Sequence, residues 1–553
     1  MKMSSTTQRC ALAASVATVA LLMGRLAPQA TPQASSATTF ADDSIDAWFA
    51  SAPQLAAEAS MAARESIAEA AYGRRPALWR GCAADWGAVR SWPGGESLRA
   101  LLPWVAARAL PGTEFVLSEP QRGSKPLLHE APSWESMHHG LYNVSPASLL
   151  LGTGAQSLYY SGTVGGVNTA HWQTEALLEE LAPRDFLLLD DVPPPPEGRE
   201  APTSTPNGES PRNATSLRLW MSSAGVLSRT HYDKSHNVFV HLHGRKHLLL
   251  WRPESLPRLH LYPAVHAAYR QSQVPLRADA RARVEPGRFP LAPTMLGGTV
   301  VAASTRPSAD GLGTSATAGT AGSDGAMLPT ADPTGVELEP GDCLYIPPYW
   351  GHAVLSATAS VSIASFSTSW EQARWSTIAS MPAPLGRFAA SRCSRARGAS
   401  LAAIAFLRAL PPVVSASPSR FIRLAHDSRF APLYGPAAEH PLELSARPTA
   451  QPAQSDLEGL HACLATLPAA SSAEADPGLR VRLSDFGARA AALLTEPDPT
   501  WGRTFGPGVA AELAADYLEE LAGWAGGAED ARQLVQALAA APADSWLFTF
   551  FHD

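Results

Sequence analysis

Between residues 228 and 251 the apolar positions fall into two strand-like runs separated by a polar break. Val238-Phe-Val-His-Leu242 has the alternation of a strand, His243-Gly-Arg-Lys246 supplies turn residues, and His247-Leu-Leu-Leu-Trp251 returns as a second strand. The pattern predicts a β-hairpin with His231 and Asp233 at its head. Elsewhere the period lengthens. Ile45, Trp48, Phe49, Leu55 and Ile67, set among Ala and Glu over residues 41–75, predict amphipathic helices. Beyond Trp370 the same spacing returns from Leu401 to Leu410 and at Val509, Leu513, Tyr517 and Leu521, with Pro-rich joints between. Two stretches carry no period. Residues 192–213 are rich in Pro and Ser and read as a surface loop. Residues 297–335 are Gly, Ala, Ser and Thr with hardly any charge or aromatic, and are expected to be disordered for want of apolar surface.

Composition changes this picture modestly. A chain of 553 residues has room for two to four domains, and a formal net charge of −7 argues against a general nucleic-acid binder. The cluster Arg387, Arg392, Arg395 and Arg397 reads as a solvated helix face or linker. At the N-terminus Lys2 and Arg9 precede an apolar run from Cys10 to Met23, and Arg25-Leu-Ala-Pro-Gln-Ala30 offers a small-residue cleavage region. The run is short for a bilayer, so a cleaved signal is expected, with no stable membrane span afterwards. The secretory pathway (endoplasmic reticulum lumen or secretion) follows, and Asn213-Ala-Thr215 is an acceptor sequon on that route. The lack of any acidic residue before Asp42 keeps an organellar transit peptide as the alternative. Cys82, Cys343, Cys393 and Cys463 have a wide, irregular spacing that matches neither a zinc site nor a dense disulfide framework, which leaves the redox compartment open.

The candidate chemistry gathers in the predicted hairpin. In a strand, residues i and i+2 share a face, so His231 and Asp233 can converge on one ion. The remote His352, at the end of Gly341-Asp-Cys-Leu-Tyr-Ile-Pro-Pro-Tyr-Trp-Gly-His352, completes a two-His, one-carboxylate set that leaves coordination positions free. His-x-Asp alone is weak; its surroundings strengthen it. Of 43 basic residues four are Lys, so Lys246 suggests a site that wants a compact point charge on a flexible stem. Asn is as scarce, and Asn237 lies in the same stretch. The bland reading of Lys246 is a solvated turn cation. His236, His241, His243 and His247 read as core or surface histidines, the His138-His139 pair as structural or exposed, and Asp342 as a turn residue.

His231-Tyr-Asp233, Asn237, Gly244-Arg-Lys246 and the Gly341–His352 motif together resemble the JmjC-domain, cupin-like Fe(II)/2-oxoglutarate oxygenases. Within them they are most similar to the small protein hydroxylases, a subgroup that includes the asparaginyl hydroxylase acting on hypoxia-inducible factor. Leu261-Tyr-Pro263 and Ser272-Gln-Val274 are similar to the segment that follows in that family, and the likeness covers roughly residues 85–375. It implies a mainly β fold: a double-stranded β-helix (jelly-roll or cupin) barrel with flanking N-terminal and C-terminal α-helices. The implied organisation is a signal or transit peptide at 1–30, a helical segment at 31–84, the oxygenase domain at 85–375 and a helical region at 376–553. The C-terminal helices either cover the barrel or form a homodimer.

The resemblance implies His231, Asp233 and His352 as iron ligands and Lys246 as the partner of the distal carboxylate of 2-oxoglutarate. It also implies Asn237 as a polar residue of the same pocket, Ser228 as a hydroxyl contacting the cosubstrate and Tyr159 as the cosubstrate-binding tyrosine. His241 stands where Gln is usual, Gly351 replaces an aromatic before the distal His, and Ser360-Val-Ser-Ile-Ala-Ser-Phe366 lacks the Asn that some members carry. The implied reaction uses Fe(II), 2-oxoglutarate and O2 to hydroxylate a side chain of a protein or peptide substrate. The alternatives are a JmjC lysine demethylase and a non-catalytic cupin-type binding protein.

Overall fold

The computed structural model describes residues 49, 51–58, 64–93, 96–102, 104–110, 113–116, 140–151, 157–164, 179–181, 216–277, 289, 333–410, 417–434, 477–498, 502–524 and 526–540. The signal or transit segment, residues 192–213, residues 297–332, Asn213 and the His138-His139 pair lie outside the described residues.

The strands are β1 (Ala77–Trp79), β2 (Val105–Leu110), β3 (Glu114–Phe115), β4 (Gly140–Val144), β5 (Ser157–Thr163), β6 (Ser216–Ser222) and β7 (Leu227–Tyr232), followed by β8 (His236–His243), β9 (Lys246–Trp251), β10 (Thr334–Leu338), β11 (Cys343–Ile346), β12 (Gly351–Ser356) and β13 (Ser360–Ser367). They form an eight-stranded sheet, in the order β1-β11-β8-β13-β6-β5-β2-β4, and a five-stranded sheet, β10-β9-β12-β7-β3. From β6 to β9, and again from β11 to β13, each successive strand belongs to the other sheet. That alternation is the double-stranded β-helix, here as two packed sheets; among the described residues no pairing closes them into a barrel.

The alternation corrects the hairpin expected at 238–251. Strand β8 pairs with β11 and β13, whereas β9 pairs with β10 and β12. One face of β8 is apolar, with Val238, Val240 and Leu242, and the other sets Phe239 between Asn237 and His241; the strand is buried along almost its whole length as a central strand between two layers. The link is Gly244-Arg245, and Gly244 has φ +80°, a conformation that spares L side chains no strain. A short link with turn residues therefore signals a change of sheet here as readily as a hairpin.

Three apolar layers result. The outer face of the large sheet (Leu219, Met221, Val238, Val240, Ile363) packs on Ile67, Trp86 and Trp92 from the N-terminal region. Between the sheets lie Phe239, Leu248, Leu250, Val336 and Leu344. The outer face of the small sheet (Leu227, Leu249, Trp251, Leu355) is covered by helices after residue 369. These helices are α1 (Trp370–Ala379), α2 (Arg392–Ala409), α3 (Pro418–Arg429), α4 (Pro477–Thr495), α5 (Pro507–Gly523) and α6 (Ala528–Ala540). The side chains of Ser369, Ser391 and Ser417 accept backbone N–H bonds from Gln372, Ser394 and Arg420 and so start α1, α2 and α3. Val509, Leu513, Tyr517 and Leu521 are buried in this layer, which is the covering arrangement.

Two details differ from the sequence reading. The segment read as helical up to residue 84 also supplies β1, which pairs with β11 at the edge of the large sheet. Cys82 and Cys343 are joined in a disulfide, with Cα atoms 5.9 Å apart, and Cys393 is disulfide-bonded as well. Sequence separation hid the pairing because the β1–β11 register creates it. Asp342, read as a turn residue, is buried beside that bond; it pairs with Arg80 and accepts from the backbone N–H groups of Gly81 and Glu339.

At Gly244 a Cβ would run into the carbonyl of Ala359, whereas at Gly225, also at positive φ, it would meet open space. Gly244→Val is therefore expected to cost at least about 2 kcal/mol in a denaturation experiment and Gly225→Ala about 1 kcal/mol or less. Equal losses would show that strain alone, not the sheet-crossing turn, sets the requirement at Gly244.

Candidate functional site

The antiparallel register of β7 and β12 places His352 directly opposite His231, with ring centroids 4.2 Å apart. Asp233 follows immediately after β7, and its carbonyl accepts from the N–H of Tyr349 at 2.8 Å, which ties it to the turn before β12. Its Oδ2 lies 3.7 Å from Nε2 of His352. One side-chain donor atom from each of the three residues falls within 4.8 Å of the others.

Protonation follows from the neighbours. Nδ1 of His231 lies 2.8 Å from the carbonyl of Arg229, and Nδ1 of His352 lies 3.0 Å from the carbonyl of Trp350. A carbonyl only accepts, so both Nδ1 atoms donate and both Nε2 lone pairs remain for a shared ion. Burial, reinforced by His352, holds the His231 imidazolium pKa below the ordinary histidine range. Burial pushes the Asp233 carboxyl the other way, but His352, His231 and Arg270 outweigh it and hold it below the usual carboxylate range. Asn237 donates from Nδ2 to Oδ2 of Asp233 at 3.3 Å, and among the described residues its buried Oδ1 has no partner. Two imidazole nitrogens and a carboxylate on one side of a point are the donor set of a non-haem Fe(II) site, and these residues fit such an ion.

A cavity of about 340 Å³ opens in front of this cluster, and Tyr159, Ser228, Asn237 and Lys246 line it with the triad. The place of Ser228 depends on a defect in the sheet. Ser228 lies three positions before His231, and in a regular strand the two would face opposite ways. The β7–β12 pairing pairs His352 with His231 but Val354 with Ser228, so β7 holds one extra residue and both side chains reach the cavity. Tyr159 reaches it from β5, against the ring of Phe115 at 4.4 Å, and burial raises its hydroxyl pKa well above normal.

Lys246, the first residue of β9, is 4% exposed, which disposes of the solvated-turn reading. Its Nζ lies 5.3 Å from the ring centre of Phe239, and among the described residues no carboxylate pairs with it. Burial pushes the ammonium down to about 7. A cation held in this way beside a cavity favours an anionic ligand.

His241 and His236 make structural hydrogen bonds. His241 bonds Ser362 Oγ through Nδ1 and the carbonyl of Gly244 through Nε2, and His236 bonds the Tyr345 hydroxyl. The departure at Gly351 also has a steric cause, because a Cβ there would press on the side chain of Leu259. Sequence reasoning missed Arg270 and Gln271. Nη1 of Arg270 stands 3.7 Å from Oδ1 of Asp233, and Gln271 forms a β-bridge with His231. Both directly precede the family-like segment Ser272-Gln-Val274. The sequence does not announce that Arg270 adopts φ +71°.

Residues 173–369 match the family model described as a cupin-like domain. The lysine-specific demethylase JMJ31 of Arabidopsis thaliana is 27% identical over 215 residues, which is 36% of this chain and 36% of that protein. The Jumonji C domain-containing protein 5 of Drosophila melanogaster is 25% identical over 167 residues, 30% of each chain. The matched region thus spans about a third of the length of these relatives.

Replacing Lys246 by Met should stabilise the protein without cosubstrate by roughly 1–4 kcal/mol, since an unpaired buried cation is exchanged for an apolar side chain of similar length. The folded-state pKa of about 7 lies below that of the unfolded chain, so the Lys246 penalty is complete below pH 7 and fades as pH rises toward about 10. Thermal denaturation across that window should show the advantage of Lys246→Met shrinking with pH. A constant or growing gap would contradict an unpaired buried ammonium.

Proposed function

From the cupin-like JmjC domain this chain carries, a family of iron- and 2-oxoglutarate-type oxygenases, we propose an Fe(II)- and 2-oxoglutarate-dependent dioxygenase that hydroxylates a protein side chain. The observation that carries the reading is the convergence of His231, Asp233, His352 and the unpaired Lys246 on one cavity.

Each residue has a role in this reading. Nε2 of His231, Nε2 of His352 and a carboxylate oxygen of Asp233 would hold Fe(II). Asn237 fixes one carboxylate oxygen of Asp233. Lys246 would pair with the far carboxylate of 2-oxoglutarate, and the hydroxyls of Tyr159 and Ser228, which line the same cavity, would donate to the cosubstrate. The aliphatic wall formed by Leu248, Ile346 and Val354 keeps water from the reacting centre. When bound, the iron with 2-oxoglutarate and O2 supplies the oxidation: carbon dioxide leaves, one oxygen atom enters succinate and the other enters the substrate C–H bond.

A demethylase reading is favoured by the name of the Arabidopsis relative. Against it stands the charge of the cavity wall, where Lys246, Arg218 and Arg270 accompany one carboxylate, that of Asp233. A methylated lysine ammonium would enter against like charge, whereas a neutral or acidic side chain would not. The Cys82–Cys343 disulfide supports a location in an oxidising compartment, in line with a secretory signal.

With Fe(II) and 2-oxoglutarate under anaerobic conditions the protein should develop a metal-to-ligand charge-transfer band, and with O2 it should release succinate. His231→Ala and Asp233→Ala should lower succinate release by more than about a hundredfold. Absence of the band in the wild type would leave a non-catalytic cupin. Mass spectrometry of a modified substrate separates gain of one oxygen atom from loss of methyl groups.

A further inference from the structure

Strands β5, β2 and β4 extend the large sheet past β6. Their outer-face residues Val105, Ala107 and Tyr160 are buried in the N-terminal layer. The opposite face carries Arg108, Tyr159, Ser161 and Arg218. Arg108 lies directly across from Tyr159, and Arg218 across from Thr163. This face runs into the cavity, which Tyr159, Ser161 and Arg218 line. Its outer part is open: Ala106, Thr163 and Arg218 are exposed and Arg108 is half-buried.

The two arginines differ from the buried Arg229, Arg374 and Arg429. Arg229 pairs with Glu114, Arg374 with Asp498, and Arg429 with three carboxylates. Among the described residues Arg108 and Arg218 make no ion pair or hydrogen bond, although both act electrostatically on Tyr159. Two uncompensated guanidiniums beside a cavity mouth form an anion-attracting surface. Their strands are separated by β5, so the two side chains start roughly 10 Å or more apart. A single small anion cannot engage both at that spacing. An extended polypeptide with carboxylates about three or more residues apart can.

We infer that the open inner face of β6-β5-β2 docks an acidic polypeptide segment, with Arg108 and Arg218 each meeting a carboxylate and the residue between them entering the cavity beside Tyr159. This deepens the oxygenase reading and rests on it for the identity of the cavity, naming its substrate class as an acidic stretch of protein. The charge on the mouth also selects against basic segments before any contact with the reacting centre.

Dye-labelled Glu-Gly-Ser and Lys-Gly-Ser repeat peptides, titrated against the whole protein at low salt and read by fluorescence anisotropy, test the docking directly. The Glu peptide should bind about tenfold or more tightly than the Lys peptide, and the preference should fall as salt is added. The Arg108→Glu, Arg218→Glu double variant should reverse the preference, an outcome that misfolding cannot produce. Equal binding of the two peptides by the wild type, or an unchanged Glu preference in the double variant, overturns the inference. The anaerobic Fe(II)/2-oxoglutarate band, recorded on the same protein, separates the two readings. A band without Glu preference overturns the docking alone, and Glu preference without a band overturns the oxygenase reading alone.

Discussion

The pairing of β12 with β7 is the constraint on which the remainder of the site depends. It joins a strand late in the chain to one that precedes it by more than a hundred residues, and the register sets His352 opposite His231. A slip of one residue would turn one imidazole to the opposite face of the sheet and leave no shared point for an ion. The register is protected from both sides. Strand β12 is held between β7 and β9, and the outer faces of all three strands are buried under the C-terminal helices. The C-terminal helices thus support the triad's geometry without supplying any of its donor atoms.

That support extends to the segment after β9. Gln273 donates to the carbonyl of Arg429, Nδ1 of His260 bonds the carbonyl of Ser428, and the Ala264 N–H donates to Glu519. Arg429 in turn sits among Glu512, Asp516 and Glu519 on α5, where burial, only partly offset by Arg429, pushes the Glu519 carboxyl up to about 7. The segment anchored in this way carries Arg270 against Asp233. Electrostatic organisation therefore runs inward in two shells, from a buried ionic cluster between helices to the carboxylate of the triad.

Much of this was legible in the residues, and what was not has identifiable causes. Metal-type donors can be read from their chemical type and i, i+2 spacing, and the scarcity of Lys and Asn drew attention to Lys246 and Asn237. The helical period placed Val509, Leu513, Tyr517 and Leu521 in the core. The sheet crossing reads as a hairpin because a two-residue link containing Gly serves either, and only the partners of β8 decide between them. The extra residue in β7 is invisible locally, because a bulge is a property of two paired strands. Cys82 and Cys343 met through the same kind of long-range pairing, and Arg270 owes its place to a left-handed backbone conformation with no sequence mark.

The disulfide between Cys82 and Cys343 closes the chain into a covalent ring that contains β2 through β10 and therefore His231, Asp233 and Lys246. His352 lies a short way beyond the ring's closing cysteine. A backbone break anywhere between the two cysteines opens the ring but leaves two pieces still joined through sulfur. The piece bearing His352 then stays tethered to the piece bearing β1, next to the strand with which Cys343 pairs. A single proteolytic nick in this region consequently does not release the piece bearing His352, whose covalent separation requires a reductant.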